Sequence, residues 1–158
     1  MYTNNCICVR KWEKVLLGTY EHSLDSKNRL TLPAAIRKQL GTQVMITIGV
    51  DKCMELRTPE EFNEYANTLK NIGSTKSKYR MLQRAILGNT FEVQIDSANR
   101  VLLPSTLIKA TNVKKNVVLI GVGDKVEIWD ADIYTSQKRD DDINALSAVL
   151  EGLDDYDD

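Results

Sequence analysis

Arg29 and Arg100 occupy the same setting twice. D-S-K-N-R-L-T-L-P over Asp25–Pro33 returns as D-S-A-N-R-V-L-L-P over Asp96–Pro104, with six of nine positions identical. An arginine at the start of a strand, just past a tight turn, projects at the rim of a sheet. There its planar guanidinium can grip a phosphate or a guanine edge through paired hydrogen bonds. The competing reading is an ion pair with the aspartate four residues earlier, and the two roles are compatible. Asp25 and Asp96 would themselves be repelled by phosphate, so they are assigned to capping the turn and orienting the arginine. Asn28 and Asn99 tolerate the left-handed backbone such a turn asks for. Lys27 adds charge to the first turn only. Arg37, Lys38 and Lys109, on the short helices that follow, are weaker candidates for phosphate contacts.

Other chemistries find little to work with. The single histidine, His22, cannot be assembled with a nucleophile into a catalytic pair. Acids placed next to arginines stay ionised, which disfavours general acid–base roles for Asp25 and Asp96. We expect no enzyme activity, no cofactor and no small-molecule substrate. Three cysteines suggest no disulfide framework, and Cys6, Cys8 and Cys53 lack the ligand spacing of a metal site, so no metal is expected. Cys53 reads as a small buried hydrophobe.

The repeat extends beyond the arginine motif and organises the chain. Leu17-Gly18 matches Leu87-Gly88, and Val44–Leu56 matches Val117–Trp129 with small shifts. Each copy predicts a strand (Tyr20–Leu24 or Phe91–Ile95), the turn, and a second strand (Arg29–Leu32 or Arg100–Leu103). A short helix opened by Pro33 or Pro104 and ended by Gly41 or Asn112 follows, then a hairpin turning near Asp51-Lys52 or Gly123-Asp124. Between the copies, Thr58-Pro59-Glu60-Glu61 is a helix start signal. That helix carries Phe62, Tyr65, Ala66 and Leu69 on one face, and Asn71–Thr75 breaks it. A second, basic helix bearing Lys76, Lys78, Arg80 and Arg84 runs to about Leu87; it reads as a solvated face or a contact between subunits. Asp130 is placed to cap a helix over Ala131–Lys138, and Ile143–Leu150 is amphipathic. The expected division is an N-terminal extension (1–15), a first repeat (16–58), linking helices (59–87), a second repeat (88–130) and a C-terminal helix with an acidic tail (131–158).

The net charge of −1 over 158 residues hides a strong asymmetry. Residues 140–158 hold eight acids and no lysine or arginine, which leaves 21 basic and 14 acidic side chains in residues 1–139. The body is basic enough to hold a phosphate-attracting patch, and the acidic end repels phosphate. No apolar run approaches the roughly 20 residues of a membrane span, and the first residues lack a secretion signal. A cytoplasmic, nucleoid-associated protein with no membrane partner is expected.

L-G-T-Y-E-H-S-L-D-S-K-N-R-L-T-L-P (Leu17–Pro33), with its partner motif at Asp96–Pro104, resembles the MraZ family of bacterial regulators, among the AbrB-like swapped-hairpin DNA-binding proteins. The likeness covers about residues 16–140. It implies an α+β fold of two tandem AbrB-like hairpin and short-helix units, fused into one swapped-hairpin barrel with a helical pair between them and a C-terminal helix. It also implies ring-shaped homo-oligomers bound to repeated operator sites in double-stranded DNA, ahead of the division and cell-wall gene cluster they control. Most family members carry Gly where this chain has Asn28 and Asn99. Residues 1–14 fall outside the likeness and read first as a disordered extension or an upstream start wrongly assigned, while Arg10, Lys11, Trp12 and Lys14 leave room for a contact role. The alternative function is an AbrB-like antitoxin or interaction module, for which the acidic tail would mask a partner; such proteins usually have one hairpin unit per chain.

Overall fold

The computed structural model describes residues 15–137 and 143–149. The first repeat contributes β1 (Leu16–Ser23), β2 (Arg29–Thr31), the single-turn helix α1 (Ala34–Arg37), β3 (Gln43–Ile48) and β4 (Met54–Arg57). Helices α2 (Pro59–Asn71) and α3 (Ser77–Leu87) follow. The second repeat supplies β5 (Thr90–Gln94), β6 (Arg100–Leu102), α4 (Ser105–Thr111), β7 (Asn116–Gly123) and β8 (Val126–Asp130). Helix α5 (Ala131–Gln137) and the short helix α6 (Ile143–Leu146), with a 3-10 turn over Ser147–Val149, complete it. Residues 1–14 of the N-terminal extension, Lys138, Leu150 and all eight acids of the C-terminal end lie outside the described residues.

The two repeats complete each other rather than folding side by side. β1 pairs with β7 of the other repeat along its whole length, from Leu16↔Gly123 to Ser23↔Asn116. Its counterpart β5 pairs back onto β3 of the first repeat, and β4 joins β8 across the middle. The result is a six-stranded antiparallel sheet ordered β1-β7-β8-β4-β3-β5. β2 and β6 pair only with each other, as a separate two-stranded ribbon. The β3–β4 and β7–β8 hairpins close within their own repeats, whereas the first two strands of each repeat are paired by the other, which is the swapped arrangement.

Alternation explains why one face of each strand is inside. Val44 and Ile46 from β3, Met54 and Leu56 from β4, Val117 and Leu119 from β7, and Val126 and Ile128 from β8 all point into one core. Leu30 and Val101 enter it from the ribbon, and Ile36 and Leu107 from the two short helices. Burying each such side chain contributes about 1.5–3 kcal/mol before entropy. Gly121 has a packing reason: a Cβ there would lie 2.6 Å from the backbone nitrogen of Leu17 on the paired strand.

Several boundaries differ from the sequence expectation. Pro33 and Pro104 are the N-cap residues of α1 and α4 rather than their first helical positions. α1 stops at Arg37, short of Gly41, whereas Asn112 caps α4 in the left-handed conformation, φ 54°. β1 begins at Leu16, earlier than its alternation suggested, because pairing with β7 sustains it. The capping signals act as read. Thr58 Oγ1 accepts the Glu61 amide at 3.2 Å, and Asp130 Oδ2 accepts the Ile133 amide at 3.3 Å. Among the described residues no helix is long and apolar enough to cross a membrane.

Candidate nucleic-acid interface

The two motifs fold into matching turns. Asn28 and Asn99 both sit at φ 60°. In the first turn Asp25 Oδ1 accepts the amides of Lys27 and Arg29, each at 2.9 Å. In the second, Asp96 Oδ1 accepts those of Ala98 and Arg100, again at 2.9 Å. The other carboxylate oxygen takes the arginine side chain: Arg29 Nε donates to Asp25 Oδ2 at 2.6 Å and Arg100 Nε to Asp96 Oδ2 at 2.9 Å. The ion-pair reading therefore holds. It also leaves the outer guanidinium nitrogens of both arginines outside these bonds, and both side chains remain about a third exposed.

The sheet topology, not the motif, brings the two arginines together. In the ribbon Arg29 faces Leu102, Leu30 faces Val101 and Thr31 faces Arg100. Leu30 and Val101 are wholly buried, so alternation turns Arg29, Thr31, Arg100 and Leu102 outward on one face. Cross-strand neighbours stand roughly 5 Å apart at Cβ, which makes the four side chains a single patch. The repeats also lock each other at the turns: the Leu32 amide donates to Asn99 O at 2.9 Å and the Leu103 amide to Asn28 O at 3.0 Å.

The remaining predicted residues divide. Lys27, Lys38 and Lys109 are exposed. Lys38 is the C-cap of α1 and Lys109 lies just inside the end of α4, with the same spacing in sequence as the two arginines. Arg37 is engaged with the protein: its Nε donates to Asn99 Oδ1 at 3.1 Å, and its Nη1 to the carbonyls of Leu40 and Gly41. It straps the first repeat to the turn of the second. Thr31 and Leu102 were missed. The alternation in R-L-T and R-V-L could have found them, because a buried Leu30 and Val101 force their neighbours to share the arginines' face.

The amide bonds from Arg29 and Arg100, first among the causes, hold the Asp25 and Asp96 carboxyls below their ordinary value; desolvation opposes this and the arginine side chains reinforce it. A depressed carboxyl stabilises the turn above the unfolded value of about 3.9, and that contribution is lost as pH falls through the lower folded value. Carboxyl carbon NMR titration should accordingly place both midpoints below 3.9, with the Arg29 and Arg100 amide shifts moving only there. A midpoint above 3.9 contradicts the turn geometry.

A second charged cluster lies on the six-stranded sheet, on the face that Met54 and Leu56 turn away from. Glu55 accepts from Arg57 Nη2 at 2.9 Å and from Lys125 Nζ at 2.8 Å. Arg57 is 2 % exposed, stacks 3.9 Å from the centre of the Tyr65 ring on α2, and leaves its Nε without a partner. Cys53, Glu55 and Glu127 bring one ligand atom each within 4.8 Å of one another. Both Glu55 oxygens are already held by cations, which makes the group an ion network more than a metal cradle. Burial, then the neighbouring Glu127 and Glu55 carboxylates, push the Cys53 thiol far up, so it stays protonated.

The doubled architecture matches a known family. The MraZ protein family model, which carries an antitoxin-like description, matches the chain twice, over residues 15–85 and 86–154. The chain belongs to the MraZ family. Relatives named transcriptional regulator MraZ include that of Mycoplasmoides gallisepticum, 37 % identical over 89 % of this chain and 99 % of its own. The Mesoplasma florum protein is 40 % identical over 80 % of this chain and 87 % of its own. That of Caldanaerobacter subterraneus subsp. tengcongensis is 32 % identical over 90 % and 99 %. Within the MraZ pattern, asparagine at the turn is accommodated: both Asn28 and Asn99 adopt the left-handed backbone that glycine would.

Proposed function

We propose that this chain is a sequence-specific DNA-binding transcriptional regulator, acting in the cytoplasm at the nucleoid on its own division and cell-wall gene cluster. The names of its relatives support the regulatory role. The observation that carries the DNA site is the ribbon, whose outward face sets Arg29 and Arg100 across two paired strands. A major groove about 12 Å wide admits a two-stranded ribbon, and arginine pairs with the O6 and N7 edge of guanine there. Leu102 suits a thymine methyl, and Thr31 either hydrogen-bonding edge. Lys27, Lys38 and Lys109 contact phosphate, whereas Arg37 supports the turn. Asp25 and Asp96 aim the arginines, sparing them the entropy of ordering on binding.

One chain presents one ribbon and only a modest basic patch, so affinity depends on several chains acting together. We propose a homo-oligomeric ring that faces the operator with several ribbons. Each ribbon after the first then binds at high effective concentration. The operator holds short repeats about one helical turn, roughly 10 bp, apart, all facing the ring. Gel-shift titration of the DNA upstream of the gene tests this at several salt concentrations. Moving one repeat by half a turn should cost far more affinity than moving it by a whole turn. Indifference to phase, or a monomer by light scattering at working concentration, refutes the multivalent mechanism.

A further inference from the structure

The two arginine turns come from one repeat, yet they are not held alike. The offset that takes Asp25 to Asp96 also takes Ile36 to Leu107, and both of these enter the core. It takes Arg37 to Ile108, which is half-buried against that core and has no side-chain donor. Arg37 Nε donates to Asn99 Oδ1 at 3.1 Å, while its Nη1 holds the carbonyls of Leu40 at 3.0 Å and Gly41 at 3.1 Å. The tip of the second turn is thereby tied to the chain that leaves α1. At the first turn the matching bond cannot form. Asn28 has the same φ of 60°, but α4 offers it an isoleucine. Among the described residues no partner takes up the Asn28 side chain.

Two further differences fall along the same division. The first turn carries an exposed Lys27 where the second has Ala98. Across the ribbon Arg29 faces Leu102 and Arg100 faces Thr31, so one arginine stands beside an apolar side chain and the other beside a hydroxyl. A reader anchored at its turn meets a base edge in one geometry, and a mismatched edge leaves its hydrogen bonds unmade. A turn free to shift can re-aim its arginine at a neighbouring acceptor, and Lys27 gives it a phosphate to hold whatever the sequence.

We propose that the Asp96–Arg100 turn is the discriminating reader of the ribbon, made so by the Arg37–Asn99 strap. The Asp25–Arg29 turn binds the same operator with weaker base preference. Arg37 and Asn99 are positioning residues in this scheme, setting specificity through Arg100. The inference rests on the ribbon as the DNA site and divides its work unequally between the halves.

Full-length Asn99→Gly tests it, because glycine accepts a φ of 60° while removing the acceptor of the strap. Asn28→Gly makes the matched change where there is no strap, and melting curves should show both variants folded. The probe is the DNA upstream of the gene, with each base pair of its repeats substituted in turn and read by competition gel shift. Arg29→Ala and Arg100→Ala locate the base pairs that each arginine reads. Asn99→Gly and Arg37→Ala should then each flatten preference at the Arg100 base pairs by roughly 2- to 10-fold, the weight of one hydrogen bond. Their combination should be no worse than Arg37→Ala alone, since both break the same bond. Preference at the Arg29 base pairs and the salt slope should match those of the unaltered chain, and Asn28→Gly should change neither set. Equal effects of the two glycine variants, or none from either, overturn the strap while leaving the ribbon as the DNA site. So does an Arg37→Ala variant that weakens all sequences alike with a reduced salt slope, which makes Arg37 a phosphate contact. Arginine variants that leave every base preference unchanged overturn the ribbon and the strap together.

Discussion

Replacing Arg29 and Arg100 together with alanine should eliminate specific DNA binding at concentrations that saturate the unaltered protein. On the proposed site each substitution would remove a base contact worth about 1–3 kcal/mol, or roughly 5- to 150-fold for each arginine. In an oligomer every ribbon loses both, and the losses compound through the multivalent contact. The fold should persist, since the ribbon is held inward by Leu30 and Val101 and the turns by backbone amides on Asp25 and Asp96. Gel shift and thermal unfolding on the same samples separate the two. A double variant that melts early makes the arginines structural; one that keeps full affinity moves the DNA site elsewhere. Lys38→Ala with Lys109→Ala provides the contrast, weakening all sequences alike and reducing the salt slope.

The second large effect concerns stability alone. Arg57→Ala should destabilise the chain by about 3–5 kcal/mol, because it strips a buried carboxylate of its principal partner. Glu55 is 4 % exposed and would keep only Lys125. Tyr65 would also lose the cation above its ring. At about 2–4 °C per kcal/mol for a chain of this size, the loss is plain in a melting curve. Replacing Glu55 and Arg57 together with leucine should recover most of it, since a buried ion pair exchanged for apolar packing is close to neutral. Equal losses in the single and double variants would mean the pair is not coupled.

The repeat made most of this architecture legible. Two copies of one motif, at a fixed spacing, announced two like units, and alternation with turn residues located their strands to within a few positions. Where boundaries moved, tertiary pairing was responsible. β1 gains its first residues from β7, a strand about a hundred positions away whose hydrogen bonds leave no trace in the local pattern of Leu16–Thr19. α1 ends at its first turn because Arg37 is drawn into bonds with the chain that follows and with Asn99.

By itself the sequence determined the local chemistry of the site. An aspartate, a turn that accepts positive φ and an arginine four residues on suffice to build the Asp25–Arg29 and Asp96–Arg100 pairs, because every group involved is close in the chain. It could not determine that the two arginines share a face. That depends on β2 choosing β6 as its partner, a pairing across some seventy residues that is favoured only when Leu30 and Val101 enter a core made by both repeats. The same limit hid the Glu55–Arg57 network. M-E-L-R alternates like any strand with one face in water, and its charged side chains are buried only because α2 lays Tyr65 over them. Local pattern sets which way a side chain points; the partner that arrives on that side is decided by long-range packing.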